Sequence, residues 1–193
     1  QLSDVDLSVE LCGVRLRNPL VLAAGILGTA AALLERVARA GAGAVTAKSC
    51  GPVPRRGHPN PTVIPYAGGL LNAVGLANPG AEAMVEVLRD ARARCSAVGV
   101  PVVASVFGET AAAFGEVVRT LEAAEPDFYE VNISCPNVAR EFGRPFAADP
   151  AQAAEATAAV RAATRRPVIV KLSANVDDII AVARAVDRKS TRL

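Results

Sequence analysis

The chain has 193 residues, of which 51% are hydrophobic, and its net charge is only +2, a profile that suits a globular domain with a sizeable core. Its basic residues are scattered, so neither nucleic acid nor an anionic membrane surface is a predicted partner. No apolar run approaches the roughly 20 residues that span a bilayer, and the opening residues lack the basic and apolar regions of a signal peptide, which predicts a cytoplasmic protein.

In chain order, a small hairpin precedes a regular alternation of strands and helices. Residues 5–13 alternate in polarity and reach a glycine, as a hairpin does. Nearly continuous apolar runs predict buried strands at residues 20–25, 44–49, 101–108, 128–134 and 167–173. Residues that can cap a helix predict helix starts at Thr29, Asn78, Thr110, Asp149 and Asn175, with Pro79 and Pro150 at first helical positions. Such alternation predicts a parallel sheet with right-handed crossovers.

Polar residues near the ends of these strands favour one architecture. They are Lys48, Ser49, Ser105, Asn132, Cys135, Lys171 and Ser173. In a (β/α)₈ TIM barrel the C-terminal strand ends converge on one mouth, whereas in an open doubly wound sheet without a G-x-G-x-x-G turn they spread along an edge. We therefore predict an α/β fold of the TIM-barrel type. A full barrel has eight units in about 250 residues, so the five units here predict an incomplete barrel with an N-terminal hairpin.

The sequence also predicts the bounds of the domain and one irregular segment within it. Residues 1–186 are predicted to form the partial barrel domain, and the polar residues 187–193 are expected to be a non-native tail, since a sixth apolar strand should follow instead. The segment 50–69 is long and rich in proline and glycine, which predicts either a mobile lid or an inserted surface loop.

Four blocks of sequence carry a family resemblance: "AKS" at 47–49, "GGLLNAVGLANPG" at 68–80, "NISCPNV" at 132–138 and "VIVKLSANVDDI" at 168–179. Their order and spacing resemble the class 1 dihydroorotate dehydrogenases, which are FMN-containing enzymes of pyrimidine synthesis. The resemblance is closer to the 1B type, whose catalytic subunit works with a second subunit that carries FAD and iron–sulfur and passes electrons to NAD. It implies oxidation of dihydroorotate to orotate on FMN, a C-terminally truncated chain, and a homo- or hetero-oligomer at full length.

The resemblance implies that Cys135 is the catalytic base. Oxidation of dihydroorotate removes a proton from C5 and a hydride from C6, so a base is needed on the substrate face opposite the flavin. A thiol with a reference pKa of about 8.5 becomes an available thiolate after modest tuning. The alternative is a small buried hydrophobe, which is the expectation for Cys12, Cys50 and Cys95. No C-x-x-C pair occurs and His58 is the only histidine, so no metal site is predicted.

The resemblance also implies the contacts of substrate and flavin. Lys48 is expected near both and Lys171 near the flavin N1/O2 edge, where a cation stabilises the anionic reduced form. Amides suit a planar, amide-rich ligand because each offers a donor and an acceptor. The implied substrate-binding residues are Lys48, Asn72, Ala73, Val74, Gly75, Leu76, Asn132 and Asn137. The implied cofactor-binding residues are Ala24, Gly25, Lys48, Ser49, Ser105, Asn132 and Lys171.

Departures from the family pattern keep alternatives open. Ala24 stands where related sequences commonly have serine, Ser105 where they commonly have asparagine, and Ala174 where they commonly have proline. A dihydropyrimidine dehydrogenase-like flavoenzyme is one alternative, although those enzymes typically lack the amide found here at Asn137. A non-catalytic fragment is the other, because phosphate-binding loops after strands seven and eight are missing. The isolated chain is accordingly expected to aggregate and to lack FMN. NAD and fumarate both remain possible electron acceptors.

Overall fold

The structure, a computed structural model, describes residues 5–25, 27–134 and 146–190. Its strands are β1 (Val9–Leu11), β2 (Val14–Leu16), β3 (Val21–Leu22), β4 (Ala44–Thr46), β5 (Val63–Tyr66), β6 (Gly69–Asn72), β7 (Val102–Val106), β8 (Phe128–Asn132) and β9 (Val168–Lys171). Five of them form a parallel sheet in the order β3-β4-β7-β8-β9. The sheet contains all five predicted strands, each shorter than predicted, and it confirms the incomplete TIM barrel.

The interior face of the sheet changes from apolar to polar along the strands. Side chains two residues apart share a face, so Phe128, Glu130 and Asn132 of β8 follow one another toward the C-terminal end. Phe128 lies in a small apolar cluster with Leu16, Ala44 and Val103, which the N-terminal hairpin closes. Every residue of β7 and β8 is buried, as expected for parallel strands covered on both faces. The polar residues of this face therefore begin in the middle of β8 and continue to its C-terminal end, the end at which barrel enzymes build their sites.

Helices cover the other face of the sheet. They are α1 (Ala31–Arg39), α2 (Ala81–Ser96), α3 (Ala111–Leu121), α4 (Pro150–Ala163) and α5 (Ile179–Ser190). Two predicted caps are confirmed: Thr110 Oγ1 accepts a hydrogen bond from Ala113 N at 3.2 Å, and Asp149 Oδ1 accepts one from Ala151 N at 2.9 Å. No helix in the described part of the chain is both long and apolar enough to cross a bilayer.

Three predicted helix starts are wrong. The first helix begins at Ala31 after Ala30, without a side-chain cap. The second begins after Gly80, because the Asn78 side chain instead accepts hydrogen bonds from Gly51 N at 3.3 Å and Gly80 N at 2.9 Å. The last begins at Ile179 rather than near Asn175.

Two antiparallel hairpins flank the sheet. The N-terminal one pairs β1 with β2, as predicted, and turns through Cys12 and Gly13, whose φ angles are 51° and 79°, the left-handed pair of a tight hairpin turn. The second pairs β5 with β6 and includes the last third of the segment 50–69, which was predicted as a lid or an inserted loop. Sequence reasoning did not predict its regular pairing. The status of residues 187–193 stays a prediction, and residues 187–190 continue α5.

Candidate functional site

A cavity of about 670 Å³ opens at the C-terminal end of the sheet, a size typical of ligand sites. Its lining residues are Ala24, Gly25, Lys48, Ser49, Val63, Leu70, Asn72, Val74, Gly75, Leu76, Asn132, Ser134 and Lys171. It thus brings together most of the predicted substrate and cofactor residues, whose roles stay predictions. Ala73 and Ser105 do not line the cavity, while Cys135 and Asn137 lie outside the described residues.

A chain of hydrogen bonds runs beneath the cavity between neighbouring strands. Asn132 Nδ2 donates to Ser49 Oγ at 2.9 Å, and the Ser49 and Ser105 hydroxyl oxygens are 2.7 Å apart. Ser105 Oγ in turn donates to Glu130 Oε1 at 2.6 Å. All four side chains are buried. Ser105, predicted to contact the cofactor, therefore supports the cavity from below.

Glu130 is a site residue that sequence reasoning missed. Its carboxylate oxygen Oε1 lies 3.2 Å from Lys171 Nζ on the adjacent strand β9. Charged side chains are almost never buried unless paired, and a single glutamate within the apolar run "FYEVN" was the available signal. The partners of Glu130 are set by strand register, which places Ser105 of β7 directly opposite it. This register could not be read from the sequence.

The carboxamide of Asn132 is held on both sides. Its Oδ1 accepts hydrogen bonds from Ser134 N at 3.2 Å and from Ser134 Oγ at 2.8 Å, while its Nδ2 donates to Ser49. Ser134 also lines the cavity and was not predicted as a site residue. One Nδ2 hydrogen of Asn132 is left without a partner among the described residues, so this side chain can offer a donor to a ligand.

Close backbone packing fixes the position of Lys48. The Lys48 amide donates to Gly28 O at 3.0 Å, and a Cβ added at Gly28 would lie 2.0 Å from Lys48 N. Only glycine permits such an approach. By contrast, a Cβ added at Gly25, which lines the cavity, would meet nothing within 4 Å.

The opposite wall of the cavity comes from the second hairpin and the turn that follows it. Val63 and Leu70 of the hairpin line the cavity and are 48% and 66% exposed. Beyond it, Gly75 and Leu76 have φ angles of 73° and 54°, and Ala73 N donates to Thr62 O at 2.9 Å. Backbone hydrogen bonds rather than burial therefore shape the hairpin part of this wall, whereas Leu76 in the turn is buried.

The described cysteines lie away from the cavity lining. Cys50 and Cys95 are buried, as expected for small hydrophobes. Burial raises the pKa of Cys50 to about 12 and that of Cys95 to about 11. Cys12 differs from the expectation because it is exposed in the hairpin turn. Among the described residues, no cluster of three or more His, Cys, Asp or Glu could hold a metal ion.

Comparisons with known proteins cover nearly the whole chain. The family model for dihydroorotate dehydrogenase matches residues 6–193. The catalytic subunit of dihydroorotate dehydrogenase B (NAD(+)) from Methanosarcina mazei is 45% identical over 182 residues, which cover 94% of this chain and 57% of that protein. The same-named proteins of Methanocaldococcus jannaschii and Geobacter sulfurreducens are 40% and 41% identical, over 93% of this chain and 58% of each protein. The chain thus spans somewhat more than half the length of these relatives.

Proposed function

Because the chain belongs to the dihydroorotate dehydrogenase family, we propose that it supplies the catalytic cavity of an enzyme that oxidises dihydroorotate to orotate in UMP synthesis. The cavity at the C-terminal end of the sheet is the observation that carries this proposal. Lys48, Asn132 and Lys171 converge there from three different strand ends, with apolar side chains opposite. A mostly apolar cavity with a few convergent polar groups is typical of a site for a planar ligand.

The family is flavin-dependent in general, and we propose FMN as the flavin. The donors along the cavity fit an isoalloxazine ring, which is apolar on its faces and carries carbonyl oxygens at one edge. Lys171 would hold that edge, Ala24 and Gly25 would offer backbone groups, and Lys48 and Asn132 would bind between flavin and substrate. When bound, FMN supplies the hydride acceptor.

We assign the substrate to the same cavity. Lys48 attracts the substrate carboxylate, and Asn72 with the backbone of residues 73–76 binds the amide edges of the ring. In this proposal the Cys135 thiolate removes the C5 proton and becomes a thiol, and Asn137 binds the substrate. Hydrogen bonds to Ser49 and Ser134 hold the Asn132 carboxamide in one orientation, so its binding to the ring needs little further ordering.

The relatives are named catalytic subunits, which implies a partner subunit in those enzymes. We propose that the complete enzyme formed by this chain also works with a subunit that carries FAD and iron–sulfur and passes electrons to NAD. The enzyme is proposed to act in the cytoplasm. Fumarate as electron acceptor is the alternative, and purification with the partner, followed by assays with each acceptor, distinguishes the two.

Rapid mixing under anaerobic conditions tests the reaction itself. The complete flavin-loaded enzyme is mixed with dihydroorotate or, as the matched control, with dihydrouracil, which lacks the carboxylate that Lys48 is proposed to bind. We expect dihydroorotate to bleach the flavin absorbance and yield orotate, and dihydrouracil to react at least about tenfold more slowly. Reduction by dihydrouracil alone would favour the dihydropyrimidine dehydrogenase alternative, and reduction by neither would refute the proposal.

A further inference from the structure

Glu130 is a buried carboxylate for which the proposed chemistry has no direct use. It lies in the middle of β8, where all five residues are buried. Ser105 donates to its Oε1 from β7, and Lys171 Nζ approaches the same oxygen from β9. Burial of a carboxylate costs free energy unless hydrogen bonds and a cation compensate for the lost water. The fold supplies both through its strand register, so this carboxylate has a defined place between two groups of the site.

The negative charge of Glu130 sets the direction of the hydrogen-bond chain. A carboxylate only accepts, and a serine hydroxyl has a single hydrogen to donate. Ser105 uses that hydrogen on Glu130, so across the 2.7 Å contact Ser49 must be the donor and Ser105 the acceptor. Ser49 oxygen is then an acceptor for Asn132 Nδ2. Every donor in the chain therefore points from the cavity toward Glu130.

This direction determines what Asn132 offers to a ligand. Nδ2 must face Ser49, so Oδ1 faces Ser134, which donates to it twice. The reversed carboxamide would place an acceptor against Ser49, whose hydrogen is already used, and an N–H group against the Ser134 amide. Only a hydrogen on Nδ2 remains for the cavity, so Asn132 binds acceptors such as carbonyl oxygens.

From these contacts we propose that Glu130 is a positioning residue: it anchors Lys171 Nζ directly and orients the Asn132 carboxamide through Ser105 and Ser49. The proposal rests on the proposed function, because the groups that Glu130 positions are its flavin and substrate contacts. One carboxylate thus couples the side chains at the ends of β8 and β9, where Asn132 and Lys171 are direct register partners.

The test compares Glu130→Gln with a matched control, Glu122→Gln. Glutamine keeps the shape of glutamate but removes its charge and adds a donor, so the direction of the chain is no longer imposed. Glu122 has the same kinds of partner outside the cavity lining: Thr164 Oγ1 donates to it at 2.6 Å, and Arg166 Nε lies 3.6 Å away. A change seen with Glu130→Gln but not with Glu122→Gln is therefore specific to the cavity.

The first readout is the side-chain amide NMR signal of Asn132, which needs neither flavin nor turnover. We expect Glu130→Gln to shift this signal although two serines separate the residues, and Glu122→Gln to leave it in place. An unchanged Asn132 signal in folded Glu130→Gln protein would overturn the orienting role. If that variant does not fold, Ser105→Ala cuts the same chain nearer Asn132 and is judged by the same signal.

The second readout is the midpoint potential of the bound flavin, measured with Lys171 present and in a Lys171→Met background. If Glu130 acts through Lys171, the change caused by Glu130→Gln falls by at least half in the Met background. An equal change in both backgrounds, or no change in either, would overturn the anchoring role. Absence of bound flavin or of reduction by dihydroorotate in the unsubstituted enzyme would refute the proposed function instead, and the NMR readout would still decide the orienting role.

Discussion

The floor and the far wall of the cavity are built in different ways. The floor consists of the ends of β4, β7, β8 and β9, where Ser49, Ser105, Glu130 and Asn132 are buried and bonded to one another. The wall is the hairpin of β5 and β6, whose residues are all exposed. A floor residue is bonded to its neighbours, whereas the exposed side chain of a wall residue is available mainly to a ligand. Substitutions in the floor should therefore alter folding and binding together, and substitutions in the wall should alter binding alone.

The largest loss of stability is expected at Gly28, which packs against the floor backbone at Lys48 with no room for an added atom. Gly28→Ala would place its Cβ 2.0 Å from Lys48 N, so the backbone at the end of β4 must move, at a cost of about 3 kcal/mol in the free energy of unfolding. Denaturant unfolding measures this loss. Gly25→Ala is the matched control, since its Cβ meets nothing within 4 Å, and should change stability by less than about 0.5 kcal/mol. Equal losses in the two variants would contradict the account of Lys48 packing.

A smaller loss is expected when the chain of hydrogen bonds is cut. Ser105→Ala removes the donor to Glu130 and the acceptor of Ser49, which leaves buried polar groups unpaired and should lower the free energy of unfolding by about 1–3 kcal/mol. Ser96→Ala removes an exposed hydroxyl that, among the described residues, donates to Ala93 O, and this change should cost less than about 0.5 kcal/mol. Ser105→Ala protein as stable as the Ser96 variant would show that the floor does not depend on these bonds.

The wall is tested by Asn72→Ala. Because Asn72 is exposed at the end of β6, its loss should leave the unfolding curve unchanged but weaken orotate binding by about tenfold, the scale of one or two lost hydrogen bonds. Titration of the flavin absorbance with orotate measures this. Asn60→Ala in the same segment is the control, as the Asn60 side chain bonds Thr62 and lies outside the cavity lining. Unchanged orotate affinity in the Asn72 variant would remove this residue from the site.

The smallest effect concerns the pH dependence of stability. Burial raises the pKa of Cys50 from 9.0 to about 12, so its thiol favours the folded state fully below pH 9 and this contribution is lost as the pH rises toward 12. The free energy of unfolding should therefore decline above pH 9, and less steeply in Cys50→Ala protein. Denaturant titrations at pH 7, 9 and 10 measure the slopes. Identical slopes would contradict the burial of this thiol.

The sequence predicted well what depends on local pattern. Apolar runs marked the five sheet strands, and Thr110 and Asp149 capped helices as predicted because a cap bonds residues two or three positions ahead. The polar residues at the strand ends also predicted the position of the cavity, because the C-terminal ends of parallel strands meet at one edge of the sheet.

What the sequence did not predict depends on partners distant in the chain. Asn78 makes no cap because Gly51, which is remote in sequence, donates to its side chain. The role of Glu130 could not be predicted because it depends on strand register, which places Ser105 opposite Glu130 and Lys171 beside it. The paired strands β5 and β6 were not predicted because β5 and the start of β6 lie at the end of a segment rich in proline and glycine, where composition indicates loops.

The central proposal is that dihydroorotate binds in this cavity and is oxidised by the flavin, with Cys135 as the base. The most direct measurement is the rate at which dihydroorotate reduces the flavin in rapid-mixing experiments with the complete enzyme and its Cys135→Ala variant. Cys12→Ala, which removes an exposed thiol in the N-terminal hairpin, is the control and should react at the unsubstituted rate. We predict that Cys135→Ala protein retains its flavin but is reduced about 10²-fold or more slowly, the scale of a lost general base. Flavin reduction at a near-normal rate in the Cys135→Ala variant would contradict the account.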